Sequence, residues 1–250
     1  MSIGDKKSVA NALITGDRLR YTPSTREVPM TLQIAAVATD GVVLASDQKK
    51  NLLVAHSDEP VTSSLVSKIF YSEDRQIIAA WSGADPSMRL ARFAITIPDS
   101  ELKSFIAIEG HANRIFDEES KKLEMEHMNG EVLIVDGRDL SKVWCVHVQR
   151  QSYCDAVISK AIAGHTSNPA TYFTERFYEK LPMKRLVPLL AHTILESAKM
   201  NPSGIEGLEI FNCRKDLISR VHESEIELFK LQHQELSAVI ENYLKPMVAD

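Results

Sequence analysis

The chain has 250 residues, of which 44% are hydrophobic and 25% charged, an ordinary balance for a soluble globular protein able to bury a core. A net charge of −5, no long basic run and a 6% aromatic share argue against a nucleic-acid partner. No apolar stretch approaches the length of a membrane span, and residues 1–29 lack the apolar middle of a secretory signal.

Residues 1–30 are polar and aperiodic and read as a leader, followed by one α+β domain over 31–250. From Thr31 the pattern becomes regular: a strand, an Asp40-Gly41 turn signal, and a returning strand over Val42 to Ser46. With Asp40-Gly41 as the two central residues, Thr31 faces Lys50 and Asp47 faces Ile34. Asp47 then lies three residues along the strand from Thr31, roughly 10 Å away. Strands are expected at Leu65 to Tyr71 and Gln76 to Trp81. Asp85-Pro86 reads as a helix cap followed by proline, with the helix reaching about Ile97 and a second, long helix from Asp99 or Ser100 to about Met128. Leu90, Phe93, Phe105, Ile108 and Ile115 give this pair more apolar surface than one face needs, an expectation of oligomer contacts.

Strands follow near 131–136, 142–149 and 153–163. Asn168-Pro169 opens a helix to about Lys180, and another runs from about Pro182 to Lys199 with Pro188 inside it. A strand at 207–212 and a helix near 223–244 complete the order. Two sheets covered by helices on their outer faces account for it. Cys145, Cys154 and Cys213 share no metal-type spacing, and an odd count suits a reducing, cytoplasmic compartment. The histidines form no ligand pair either, so neither a metal nor another cofactor is expected.

The stretches "MTLQIAAVATDGVVLASD", "SKIF" and "AWSGADPSMRLAR" resemble the N-terminal half of a proteasome-type β-subunit. "AIAGHTSNPATYFTERFYEKL" and "ESAKMNPSGIEGLEIF" resemble its second half, so that the likeness spans about residues 31–215. The resemblance implies the four-layer αββα sandwich of the N-terminal-nucleophile hydrolases and a threonine peptidase. Thr31 would be the nucleophile, Lys68 the lysine beside its hydroxyl, and Asp47 the acid holding that lysine. Gly83 would supply the oxyanion N–H, and Lys49 to Asn51 with Gly83 to Asp85 would flank a peptide or unfolded protein substrate. Ser203 matches the later serine of the catalytic set. His165 stands where the family has a serine, and Asn201 near where it has an aspartate; both become candidate supporting residues.

The chemistry requires a free threonine. A peptide nitrogen is not basic, whereas an N-terminal amine titrates at about 7.7–8.0 and can accept the hydroxyl proton. Thr31 must therefore be exposed by cleavage of the Met30-Thr31 bond, or by translation starting at Met30 and removal of that methionine. By resemblance the subunit would assemble with copies of itself, as a ring or an open helical array. A non-catalytic structural subunit with a retained leader is the competing expectation, and an amidase acting on small molecules is a third.

Overall fold

A computed structural model describes residues 31–52, 62–102, 104–123 and 129–248; the expected leader therefore lies outside the described residues. The architecture is mixed α/β, with antiparallel sheets and helices packed against them.

The first sheet is built on β1 (Leu32–Val37) and β2 (Val42–Ser46). Every residue of both is buried, so they read as apolar runs and not as a strict alternation. The hairpin register differs from expectation: Ile34 faces Ala45, and Val37 faces Val42. The loop holds Ala38 to Gly41 and is closed by the Ala38 N–H donating to the Gly41 carbonyl at 2.7 Å. Two extra loop residues shift the partner of Ile34 by two, which leaves every side chain on its expected face because the strand period is two. Asp47 consequently arrives opposite Leu32, donating its N–H to the Leu32 carbonyl at 3.1 Å, and not opposite Ile34, two residues farther along.

After the short ribbon β3 (Lys49–Leu52) and β4 (Thr62–Leu65), the second sheet begins with β5 (Ile69–Ser72) and β6 (Ile77–Gly83). The single strand expected over 65–71 is thus broken at Val66 to Lys68. The Val66 N–H bonds to Gln48 at 2.8 Å, tying the break to the ribbon. Helix α1 (Asp85–Ala94) has Pro86 in its first turn, with Ala84 at the cap and no side-chain cap bond; Asp85 is already helical. The long helix expected from 99 is α2 (Asp99–Leu102) and α3 (Phe105–Leu123).

Strands β7 (Gly130–Asp136), β8 (Asp139–Val148) and β9 (Tyr153–Val157) complete the second sheet, in the order β5-β6-β7-β8-β9. The run expected as one strand over 153–163 divides, because β10 (Lys160–Gly164) crosses to pair with β1. Helices α4 (Thr171–Phe177) and α5 (Met183–Met200) follow, the latter carrying Pro188 on its exposed side. Then β11 (Glu209–Arg214) and β12 (Leu217–Arg220) give a first sheet ordered β10-β1-β2-β11-β12, and α6 (Glu223–Val248) ends the described chain.

Three apolar clusters hold these elements together. Leu32, Ile34 and Ala45 pack on Leu190 and Ile194 of α5. The opposite face of the same strands, Ala35 and Leu44, meets Ile78, Ala80 and Leu133 of the second sheet. The far face of that sheet, through Ile77, Trp81 and Ile134, packs on Leu90, Ile108 and Phe116. Leu90, Ile108 and Ile115 are therefore core residues. Exposed apolar side chains include Phe105 and Ile106 at the start of α3 and, on α6, Leu228, Leu231 and Val239, which are 50%, 57% and 65% exposed.

Candidate active site

Thr31, Asp47 and Lys68 converge where the two sheets face each other. Lys68 precedes β5, and its backbone is fixed by the Trp81 N–H donating to the Lys68 carbonyl at 3.1 Å. Its side chain crosses to the first sheet. There Nζ donates to Thr31 Oγ1 at 2.9 Å and to Asp47 Oδ2 at 2.8 Å. Asp47 is also held by backbone: the Leu32 N–H donates to Oδ1 at 2.9 Å and the Lys49 N–H to Oδ2 at 3.0 Å. The three side chains are 3%, 0% and 1% exposed for Thr31, Asp47 and Lys68.

Burial dominates the titration of the ion pair. It pushes the Lys68 ammonium below the usual lysine range, opposed by the charge and hydrogen bond of Asp47. It pushes the Asp47 carboxyl up, opposed by Lys68 and by the two backbone N–H groups. A cation kept at hydrogen-bond distance from a hydroxyl oxygen, away from water, stabilises negative charge developing on that oxygen.

Two glycines in the left-handed region shape the surroundings. Gly83, at φ +84°, ends β6 beside Gly130, and a Cβ there would lie 2.5 Å from the Asn129 carbonyl oxygen. Gly164, at φ +90°, ends β10, and its Cβ would lie 1.9 Å from the Thr31 carbonyl oxygen. That close approach lets the next residue, His165, donate its N–H to the Thr31 carbonyl at 2.7 Å. His165 thus contacts Thr31 through its backbone, where the sequence suggested a side-chain role.

The other expected residues lie on the loop after α5 and on the ribbon. The Ser203 side chain is exposed, and its hydroxyl donates to Asn201 Oδ1 at 3.1 Å. Asn201 closes α5, with its N–H on Ser197 and its carbonyl accepting from Gly204 and Ile205. The Lys49 ammonium holds this loop, through the Pro202 carbonyl at 2.7 Å and Glu206 at 3.1 Å. Lys49 and Asn51 lie on β3, which pairs with β4 along one edge.

Sequence reasoning passed over Glu131, whose carboxylate accepts the Gly164 N–H. It also pairs with His147 Nδ1 at 3.0 Å, and His147 Nε2 lies 3.6 Å from Cys145 Sγ. Hydrogen bonds to Cys145 and Glu131 raise the His147 imidazole to about 10. The signal was present: Glu131 shares the inward phase of β7 with Leu133 and Val135, where a charge requires a partner. Among the described residues no group of three or more acidic, histidine or cysteine side chains is arranged to hold a metal, and no helix is long and apolar enough to cross a membrane.

No protein-family model and no curated protein matches the chain. Solved structures do. Anbu (ancestral beta-subunit) from Yersinia bercovieri superposes with a TM-score of 0.65 at 11% identity, covering 86% of this chain and 97% of that one. The helical assembly of the Anbu complex from Pseudomonas aeruginosa gives 0.65 at 12% identity, over 88% and 98% of the two chains. Anbu from Hyphomicrobium sp. strain MC1 gives 0.61 at 11% identity, over 86% and 97%. At such identity the likeness concerns the fold alone, and the fold is a proteasome-like one, similar to that of the ancestral beta-subunit.

Proposed function

We propose that the chain is a threonine peptidase of the N-terminal-nucleophile kind, acting as a subunit of a self-assembled oligomer. The observation that carries the reading is Lys68 Nζ, which bridges the Thr31 hydroxyl and the Asp47 carboxylate at 2.9 and 2.8 Å. Once Thr31 is freed at its amino end, its own amine takes the hydroxyl proton. Oγ1 then attacks the scissile carbonyl while Lys68 lowers the cost of the charge it carries. The Gly83 N–H stabilises the oxyanion. Protonation of the leaving amine gives an ester on Thr31, which water hydrolyses. Asp47 acts through Lys68, keeping it charged and aimed.

An extended peptide or unfolded segment joins beside Gly83 to Asp85 and Lys49 to Asn51 by strand addition. The clusters between helices and sheet, sheet and sheet, and sheet and helices support a four-layer αββα reading. Three free cysteines fit a cytoplasmic setting. Assembly with copies of itself draws on the Pseudomonas aeruginosa neighbour, a helical assembly by its description.

The test is the mass of the amino terminus of protein from its native host, with hydrolysis of an unstructured peptide by wild type and Thr31→Ala. A species starting at Thr31, active only with that threonine, is expected. Activity in protein carrying only the unprocessed terminus overturns the nucleophile assignment.

A further inference from the structure

Cys145, His147 and Glu131 form a second reactive constellation. Cys145 and His147 share one face of β8 because strand side chains alternate, and Glu131 stands opposite His147 on β7. The thiol sulfur lies 3.6 Å from His147 Nε2, and the other ring nitrogen lies 3.0 Å from Glu131 Oε1. The Tyr153 ring stacks on the imidazole at 4.2 Å and 16°, holding its plane. A nucleophile, an imidazole ring at hydrogen-bond distance and a carboxylate that orients the ring are the parts of an activated thiol.

We propose that Cys145 is a peroxide-reactive thiol, with the His147 imidazolium as its charged partner and Glu131 as the residue that positions the ring. Cys145 is 6% exposed, between strands, so the oxidant proposed is a small hydroperoxide and not a bulky electrophile. The sulfur attacks one peroxide oxygen as the thiolate paired with the His147 imidazolium. The S–O bond forms as the O–O bond breaks. The departing hydroxide takes a proton from His147 and leaves as water. The sulfur is oxidised by two electrons to a sulfenic acid and the peroxide is reduced.

The other two thiols are internal controls. Burial raises Cys154 and Cys213 each to about 12, away from the reactive thiolate form. Cys154 also sits in the cluster facing the helices, on the opposite side of the sheet from Cys145, and is not placed to resolve the product as a disulfide.

The experiment treats the folded full chain with hydrogen peroxide, removes the peroxide, unfolds the protein in denaturant containing dimedone, which traps sulfenic acids, and maps the adduct by peptide mass. Cys145 should be trapped at least about tenfold faster than Cys154 or Cys213 in the folded protein. His147→Phe keeps a ring against Tyr153 without its nitrogens and should slow trapping about tenfold or more. Glu131→Gln keeps the shape and should also slow it; this variant decides the matter if His147→Phe does not fold by circular dichroism. Equal trapping of all three cysteines, or a wild-type rate in a folded variant, overturns the proposal. The readout does not depend on peptide hydrolysis.

Discussion

Lys68 Nζ lies 2.8 Å from Asp47 Oδ2, with the two side chains 1% and 0% exposed. Such a pair binds its members to each other's presence. Removing one partner leaves an uncompensated charge and costs about 3–5 kcal/mol, whereas replacing both by apolar groups is often neutral. Lys68 therefore contributes to stability as well as to the charge at the site. Lys68→Ala should abolish hydrolysis and also lower unfolding free energy by about 3–5 kcal/mol. The double variant Lys68→Met, Asp47→Leu should recover most of the stability and none of the activity. Denaturant unfolding checks both, and a Lys68→Ala protein as stable as wild type would contradict the burial argument.

Gly164→Ala tests the packing behind Thr31. The residue sits at φ +90° and its new Cβ would lie 1.9 Å from the Thr31 carbonyl oxygen, so the strand must move. Backbone strain of this kind costs about 1–3 kcal/mol, and a displacement near 1 Å can cost about a hundredfold in rate. Gly110→Ala, in α3 with nothing within 4 Å of its Cβ, should instead be neutral or stabilising by up to about 1 kcal/mol. Melting temperatures and peptide turnover of the two variants separate the cases. Equal behaviour would show that Gly164 does not hold Thr31.

The pH profile of kcat/KM should be a bell. Its rising limb belongs to the Thr31 amine, which must lose its proton near 7.7–8.0 to act as base. Its falling limb belongs to Lys68, whose ammonium must be retained. Burial lowers Lys68 from 10.5, so activity should begin to fall before an ordinary lysine titrates. A falling limb at or above that value would mean that another group sets it.

Lys49 offers a sharper distinction between tethering and substrate contact. Its ammonium is held by the Pro202 carbonyl and Glu206 at 2.7 and 3.1 Å, on the loop that carries Asn201 and Ser203. Lys49→Met should cost no more than about 1 kcal/mol of stability, as partly exposed ion pairs do, and leave KM unchanged. A rise in KM of about tenfold or more would show the ammonium reaching the substrate.

Much of this protein was legible along the chain. The strand onset next to Thr31, the Pro86 helix start and Pro188 within α5 follow from local pattern and turn chemistry, which act over a few residues. The meeting of Lys68 with Asp47 was anticipated only through a family resemblance, and its register was off by two residues because loop length is set by how the hairpin closes. Periodicity could not divide 153–163 between two sheets: both halves look like strands, and only the cluster each completes chooses its partner. Nor could it bring Glu131 to Gly164, or set Glu131 opposite His147 across two strands. Those side chains meet because residues distant in the chain are pressed onto one face, where a charge or a polar group must find whatever partner the opposing strand presents.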